Sequence, residues 1–448
     1  MFKTLKNAWK IEDLQSKILF TLFIILLYRI GCAIPVPFVM PDITNQFAEA
    51  YGNTILGYMS LLSGGAMSQA TFFALSVQPY ITSSIIIQLL TVAFPNSLGK
   101  LAKEGEEGQA KIKKYTRIIT IAIALVTAYG YTAILARGYN GQTWLVSEYI
   151  QWNGFWGTGM GALYTLVIIA AFVAGASIIM WLAELIDAKG IGNGISMILF
   201  FNIITRVPNL LMQMWSMVVS PSYHIVIGIL LGLLSVAITI GMVLLVVWVT
   251  HSERRIPIQY AKRVVGRKMY GGQGTHLPIK LNMTGVMPII FASSIVSVPS
   301  TIATFISADA TESVNMWFGP ASVLYLVVYL VLIVAFAYFY ILISFNPIEV
   351  ANNIKNNGGS VPGIRTGKPT ADYITKILNR ITLIGAFFLI IVAGLPMLVN
   401  IIANATGTTF ASLAFGGSSL LIVVGVAIET FRDIEAQITM RNYKGFLD

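Results

Sequence analysis

GIRTGKPT, residues 363–370 of this 448-residue chain, is the nearest it comes to a nucleotide-handling motif. A phosphate-cradling loop needs an upstream glycine, a Gly-Lys pair and then Ser or Thr, so that main-chain N–H groups, an ammonium and a hydroxyl meet the phosphates and their metal. Here Pro362 stands where that upstream glycine belongs, and Pro369 follows Lys368 where the hydroxyl is required. A second glycine cluster, Gly190, Gly192 and Gly194 in AELIDAKGIGNGIS (183–196), follows no strand and opens no dinucleotide fingerprint. It reads as a tight helix-to-helix connection. His224, His251 and His276 are scattered, without metal-ligand spacing, and Cys32 is the lone cysteine, which excludes an intrachain disulfide and a cysteine-rich metal site. No Asp or Glu lies in the middle third of any apolar run, and Glu184 and Glu429 fall at run ends. Ion-coupled carriers usually keep such a carboxylate as a relay. The residues therefore predict neither enzyme chemistry, nor a cofactor or metal, nor a gradient-harvesting site. Work done through this chain must be supplied from outside it.

The elements that would position anything here are membrane segments. The chain is 56% hydrophobic and 11% charged, with a mean hydropathy of +0.76. Apolar runs of about 20 residues each suffice for one crossing. They fall near 18–38, 72–94, 118–137, 159–181, 191–207, 224–249, 286–307, 321–344, 381–402 and 413–430, which predicts an all-α polytopic membrane protein of ten spans. The first run follows a charged segment, is long enough to span and lacks a small-residue cleavage site, so it reads as an anchor rather than a cleaved leader. Orientation follows from the bases. Of 29 Lys and Arg, 26 lie in the N-terminal segment, the loops 95–117, 182–190, 250–285 and 345–380, and the C-terminal tail. That places both termini and these loops in the cytoplasm. Arg29 sits inside the first run, and only Arg137 and Arg206 flank the opposite side. The net charge of +10 is then mostly an orientation signal.

The external stretch near 207–223 divides the chain into halves, 1–207 and 208–448, of five spans each. An odd number per half makes any repeat between them inverted, an architecture in which the working site lies at the repeat interface. Ser60–Leu90 departs from a plain span, because Gly64, Gly65, Ser68 and Gln69 crowd its first half and Gln78-Pro79 interrupts it. Loosened backbone at membrane depth survives only inside protein or beside a water-filled cavity. The stretch is either a re-entrant segment before an ordinary span or a pore-lining element. Between Pro35 and Leu56 the chain is external and acidic, with Asp42 and Glu49. The loop 95–117 mixes bases with Glu104, Glu106 and Glu107 and reads as a solvated face. In the loop 250–285, alternation at Ile256, Ile258 and Tyr260 with later glycines predicts a hairpin or extended finger. The loop 345–380 predicts a short helix, then an Asn/Gly turn, then Arg365 and Lys368. Such basic loops meet either anionic lipids or an acidic partner, RNA or protein.

Several motifs together resemble one family. FALSVQPYITSSIIIQLLTV (73–92), YRIGCAIPVP (28–37), GIGNGIS (190–196), THLPIKLNMTGVMPIIFASSI (275–295), FNPIEVANN (345–353), VPGIR (361–365) and FGGSSLLIVV (415–424) are similar, in order from the first span to the last, to SecY, the channel subunit of the bacterial Sec protein-conducting translocon. The resemblance implies two inverted five-helix halves around a central pore with a plug, in a bacterial cytoplasmic membrane. Its expected companions are SecE-like and SecG-like small subunits, the SecA motor ATPase or the ribosome, and signal peptides and nascent chains as clients. Secretory chains would cross the channel, and membrane segments would leave it sideways.

Carried onto this sequence, the resemblance implies a pore ring of Val77, Ile81, Ile195, Leu199, Ile290 and Ile422, where Val77 and Leu199 depart from the commoner isoleucine. It implies a plug within 55–70 that includes Ser63, Gly64, Gly65, Ala66, Met67 and Ser68, and a lateral gate at Ser84, Gln88, Ser294 and Val298. Partner docking falls on Gly266, Arg267, Lys268 and Arg365. Apolar ring residues suit the role physically, since an aliphatic constriction dewets and resists ions yet parts around a peptide. The residues read without the resemblance leave a competing function, an inverted-repeat carrier for a small solute.

Overall fold

The computed structural model describes residues 9–40, 43–51, 55–95, 97–138, 143–146, 159–208, 212, 225–260, 263–265, 268–270, 274–306, 308–319, 322–406 and 417–444. The ten apolar runs fall on helices α1 (Glu12–Gly31), α4 (Gln78–Ala93), α6 (Glu106–Arg137), α7 (Gly159–Lys189), α8 (Gly194–Ile204), α9 (Ile225–His251), α10 (Met287–Ile306), α12 (Val323–Ser344), α14 (Lys368–Thr406) and α15 (Gly417–Lys444). Shorter helices are α2 (Thr44–Tyr51), α3 (Ile55–Leu62), α5 (Leu98–Lys103), α11 (Ala308–Phe318) and α13 (Pro347–Asn356). Among the described residues, five helical stretches are long and apolar enough to cross a membrane: Glu12–Gly31, Glu106–Arg137, Gly161–Lys189, Val323–Asn356 and Lys368–Val399. Three further apolar helices are shorter.

Two expected runs are not continuous helices. The first ends as helix at Gly31, because Pro35 and Pro37 cannot donate to a helical ladder. Residues 33–39 run irregularly instead, with a bridge between Pro35 and Thr71. The second begins as helix only at Gln78, with Pro79 in the first turn, where its missing N–H costs nothing. Between α3 and α4 the chain makes turns at residues 63–77, with positive φ at Gly64, Gly65, Ala70 and Ser76.

The chain forms two compact units: residues 1–233, 296–325 and 426–448, and residues 234–295 and 326–425. In the first, α7 supplies the buried Ile168, Phe172, Ile179 and Leu182, and Tyr131 of α6 packs edge-on against Phe172 with ring centroids 5.1 Å apart. At one end Arg117 of α6 and Glu184 of α7 form a bidentate pair, 2.9 and 2.6 Å. Residues 104–107 nearby are exposed, as the mixed charge of that loop predicts. The 190–196 cluster is the tight connection expected of it. Asp187 Oδ1 accepts from Gly194 N at 2.7 Å, and Asn193 caps α8 by accepting from Ser196 N at 3.1 Å. In this unit too, Leu14, Ile191 and Ile434 cluster, and Lys17 donates to Gln437 at 3.2 Å.

The second unit holds a small sheet that an all-α description omits. Strands β1 (Glu253–Tyr260) and β4 (Gly274–Lys280) pair antiparallel, with Ile256 opposite Leu277 and Gln259 opposite Gly274. The short β2 (Arg263–Val265) and β3 (Lys268–Tyr270) pair with each other, and β5 (Gly359–Ser360) adds to the other edge of β1. Alternation along β1 buries Ile256 and Ile258 on one face. They join Ile279, Ile341, Ile354, Val361, Ile374, Leu378 and Ile381 in one apolar cluster. The expected short helix is α13, capped by Asn346, whose side chain accepts from Ile348 N and Glu349 N, and it ends at an Asn357-Gly358 turn.

Close approach by α7 to the turns that precede α4 makes a test of the first unit. A Cβ on Gly175 would sit 1.9 Å from the main-chain oxygen of Phe72, whereas one on Gly241 would meet nothing within 4 Å. Gly175→Ala should destabilise the detergent-solubilised protein by about 1–3 kcal/mol, the usual cost of overpacking. Gly241→Ala should leave the melting curve unchanged. Equal melting temperatures for both variants and the parent would contradict this packing.

Candidate functional site

The turns at 63–77 lie within the first unit. Ser63, Ala66, Met67, Ser68, Ala70, Thr71, Phe73, Ala74 and Val77 are all buried. Much of the backbone closes on itself: Gly65 N donates to Ser60 O (2.9 Å), Gln69 N to Gly65 O (3.2 Å) and Thr71 N to Ala66 O (3.1 Å). Short polar side chains complete it. Ser63 Oγ accepts from Met67 N at 3.1 Å, and Ser68 Oγ donates to Gly65 O at 2.9 Å. Residues after α1 add a rail, with Val36 N donating to Ala70 O and Phe72 N to Ile34 O, at 3.2 and 2.8 Å. Tyr28 stacks on Phe73 with centroids 5.5 Å apart.

Side chains from three helices grip the same segment. Asn202 of α8 donates through Nδ2 to Leu62 O and to the Tyr28 hydroxyl, both at 2.9 Å. Arg206 donates to Ser60 O at 3.3 Å and to Ser60 Oγ at 3.2 Å. Tyr131 of α6 donates to Met67 O. Arg29 donates to Phe201 O at 3.2 Å and to Thr205 Oγ1, which fixes its guanidinium beside the Gly64 turn. Sequence reasoning treated Arg29 and Arg206 as charges that bear on orientation and passed over Asn202. The signal was there: an arginine within a long apolar run and an asparagine in GISMILFFNII.

The six aliphatic ring positions are divided between the units. In the first, Val77 caps α4 and Ile81 follows one turn later; both are buried. Ile195 and Leu199 are one turn apart on α8, Ile195 half-buried and Leu199 buried. In the second, Ile290 is half-buried in the first turn of α10, and Ile422 is buried in the second turn of α15. Of the gate positions, Ser84 and Gln88 share one face of α4, with Gln88 Nε2 donating to Ser84 Oγ at 3.4 Å. Ser294 is buried and Val298 exposed on α10.

Of the docking positions, Gly266 and Arg267 lie outside the described residues, and Lys268 begins β3 opposite Val265. Arg365 is exposed in the turns between β5 and α14. The GIRTGKPT loop is itself a helix start: Thr370 Oγ1 donates to Arg365 O at 2.8 Å, and Gly363 and Gly367 take positive φ. Its glycines serve chain reversal ahead of α14.

Comparison with known proteins bears on what this arrangement belongs to. A family model described as SecY matches residues 71–431. The chain is 42% identical over 458 residues to the protein translocase subunit SecY of Streptomyces coelicolor, and 40% identical over 465 residues to that of Mycobacterium tuberculosis, with 100% of each chain covered. A solved protein-conducting channel superposes at a TM-score of 0.64 with 17% identity, covering 94% of this chain and 91% of that one. Sec61 in the canine ribosome–channel complex from the endoplasmic reticulum superposes at 0.59 with 16% identity, covering the same 94% and 91%. The structural likeness speaks for the fold, while the family match and the whole-length identities bear on kinship. By the family match and the whole-length identities, the chain belongs to the SecY family.

Proposed function

We propose that this chain is the channel of a protein translocon in a bacterial cytoplasmic membrane, with both termini cytoplasmic. It passes secretory polypeptides across and releases membrane segments sideways into lipid. The observation that carries this reading is the whole-length identity to subunits named as protein translocases. Its ten apolar helices would form two inverted halves, 1–207 and 208–448, with SecE-like and SecG-like subunits beside them. The 55–70 segment, helix α3 and the turns that follow it, is the plug, consistent with its position ahead of a proline-started helix. Ser84, Gln88, Ser294 and Val298 line the gate. The channel is passive, and a motor ATPase such as SecA, or a ribosome, pushes the client. The ribosome reading is supported by the likeness to a ribosome-bound Sec61 channel.

Val77, Ile81, Ile195, Leu199, Ile290 and Ile422 form the constriction in this reading. Flexible aliphatic side chains dewet a narrow gap and yet yield to an extended peptide. Ile81→Ser with Ile290→Ser should wet the gap and raise resting ion conductance in planar bilayers on the order of tenfold or more. The volume-conserving Ile81→Leu with Ile290→Leu should stay near the parent value. A parental conductance in the serine pair would remove these residues from the constriction.

Gly266, Arg267, Lys268 and Arg365 make the docking face for an acidic or RNA partner. Guanidinium binds phosphate or carboxylate with a planar fork that ammonium lacks. Arg365→Glu should abolish partner-driven transport in proteoliposomes, and Arg365→Lys should weaken it, with membrane insertion unchanged. Ribosome binding should fall steeply with added salt. Normal transport by Arg365→Glu, together with salt-insensitive binding, would leave these bases as orientation signals. Saturable uptake of a small solute by the chain reconstituted alone would favour a carrier instead.

A further inference from the structure

Two arginines press on one glycine turn without a counter-ion. A Cβ on Gly64 would lie 3.0 Å from Arg29 Nη1 and from Asn202 Oδ1, and one on Gly65 would lie 2.9 Å from Arg206 Nη2. Both glycines take positive φ, +67° and +94°, so a side chain there is strained by conformation and would also push the guanidinium ends aside. Among the described residues neither arginine forms an ion pair, unlike Arg117 with Glu184 and Arg255 with Glu253. Arg29 Nε, Arg206 Nε and Asn202 Oδ1 are buried without partners. Packing alone does not call for this. An apolar core at this place would need no cation, and a structural ion pair would have brought a carboxylate.

Toward this segment the cluster bonds mostly main chain, with the Ser60 hydroxyl as a side-chain exception. Arg206 reaches Ser60 O, Asn202 reaches Leu62 O, and Tyr131 reaches Met67 O, while Arg29 is held by Phe201 O and Thr205 Oγ1 so that it walls the turn. We infer that Arg29, Asn202 and Arg206 are positioning residues that latch the Ser60–Met67 turn in its seat by its carbonyl oxygens. The inference rests on reading that segment as the plug. Charge-assisted bonds to carbonyls are strong enough to seat the turn. Carbonyl oxygens are also acceptors that water replaces, and the unspent Nε donors leave the latch incomplete, so it releases without breaking an ion pair. Because the bonds are mostly to the main chain, the latch tolerates other side chains in the segment but not a Cβ at residues 64 and 65.

The test uses the full chain with its partner subunits in proteoliposomes, in a Cys32→Ala background carrying Ser68→Cys as a reporter, since Ser68 is buried. An impermeant maleimide added outside reads how often the segment leaves its seat, and planar bilayers read resting conductance. Arg206→Gln and Gly65→Ala should each raise the labelling rate and the conductance about tenfold, with cooperative melting in detergent retained. Arg206→Lys, which keeps the charge and loses the fork, should fall between. Arg206→Gln added to a deletion of 55–70 should raise conductance no further than the deletion alone. Parental labelling and conductance in folded Arg206→Gln overturn the latch. Should that variant not fold, Arg206→Lys decides, and a labelling change below twofold overturns the latch. If deleting 55–70 leaves conductance unchanged, the plug reading fails, and the seating claim is decided by the labelling rates alone.

Discussion

Everything in the first unit answers to one constraint: main-chain polar groups that leave a helix among membrane helices must find partners inside the protein. In hydrocarbon each unmet group costs several kcal/mol, which is why irregular backbone faces protein or water there. Residues 63–77 leave α-helical geometry between α3 and α4. Their groups are met by local turns, by residues 34–36 and by Tyr131, while Asn202 and Arg206 take up the Leu62 and Ser60 carbonyls at the end of α3. Removing one such partner strands a buried carbonyl at a cost of about 1–3 kcal/mol. The polar residues that look misplaced in an apolar sequence are therefore the ones that let the chain stop being a helix at this point.

The second unit meets a different requirement. Its basic loops are built on an apolar cluster that ties the β1–β4 hairpin to α12, α13 and α14. Ile256 and Ile258 point into that cluster, while Arg254, Arg255, Pro257 and Gln259 stay exposed. A basic loop anchored this way holds a fixed shape instead of running as a flexible tail. The phosphate-loop look-alike ahead of α14 is accounted for by turn geometry.

How much of this could be read in the sequence follows the range of the interactions. Local signals carried well: apolar runs found the helices, the Ile256–Tyr260 alternation found β1, and the short helix expected in the loop 345–380 is α13. Prolines at 35 and 37 cut the first helix shorter than its hydropathy suggests, because hydropathy windows do not register a missing N–H. The strands β2 and β5 were too short to show a period. Long-range roles were the least legible. Arg29 and Arg206 enter an orientation count as two charges, and nothing near either in sequence shows that both reach residues 60–65. The ring positions came from the resemblance to a family, since a buried isoleucine in a spanning helix looks the same whether it faces a pore or a neighbour.

The central claim is that a polypeptide passes through this chain at its aliphatic constriction. A photocrosslinking residue placed in turn at Ile81, Ile195, Ile290 and Ile422, with an arrested secretory polypeptide in transit, tests it most directly. The account predicts adducts to the client from all four positions, and none from Trp248, which is 73% exposed on α9. Adducts from Trp248 with none from the four isoleucine positions, while the client still crosses, would contradict it.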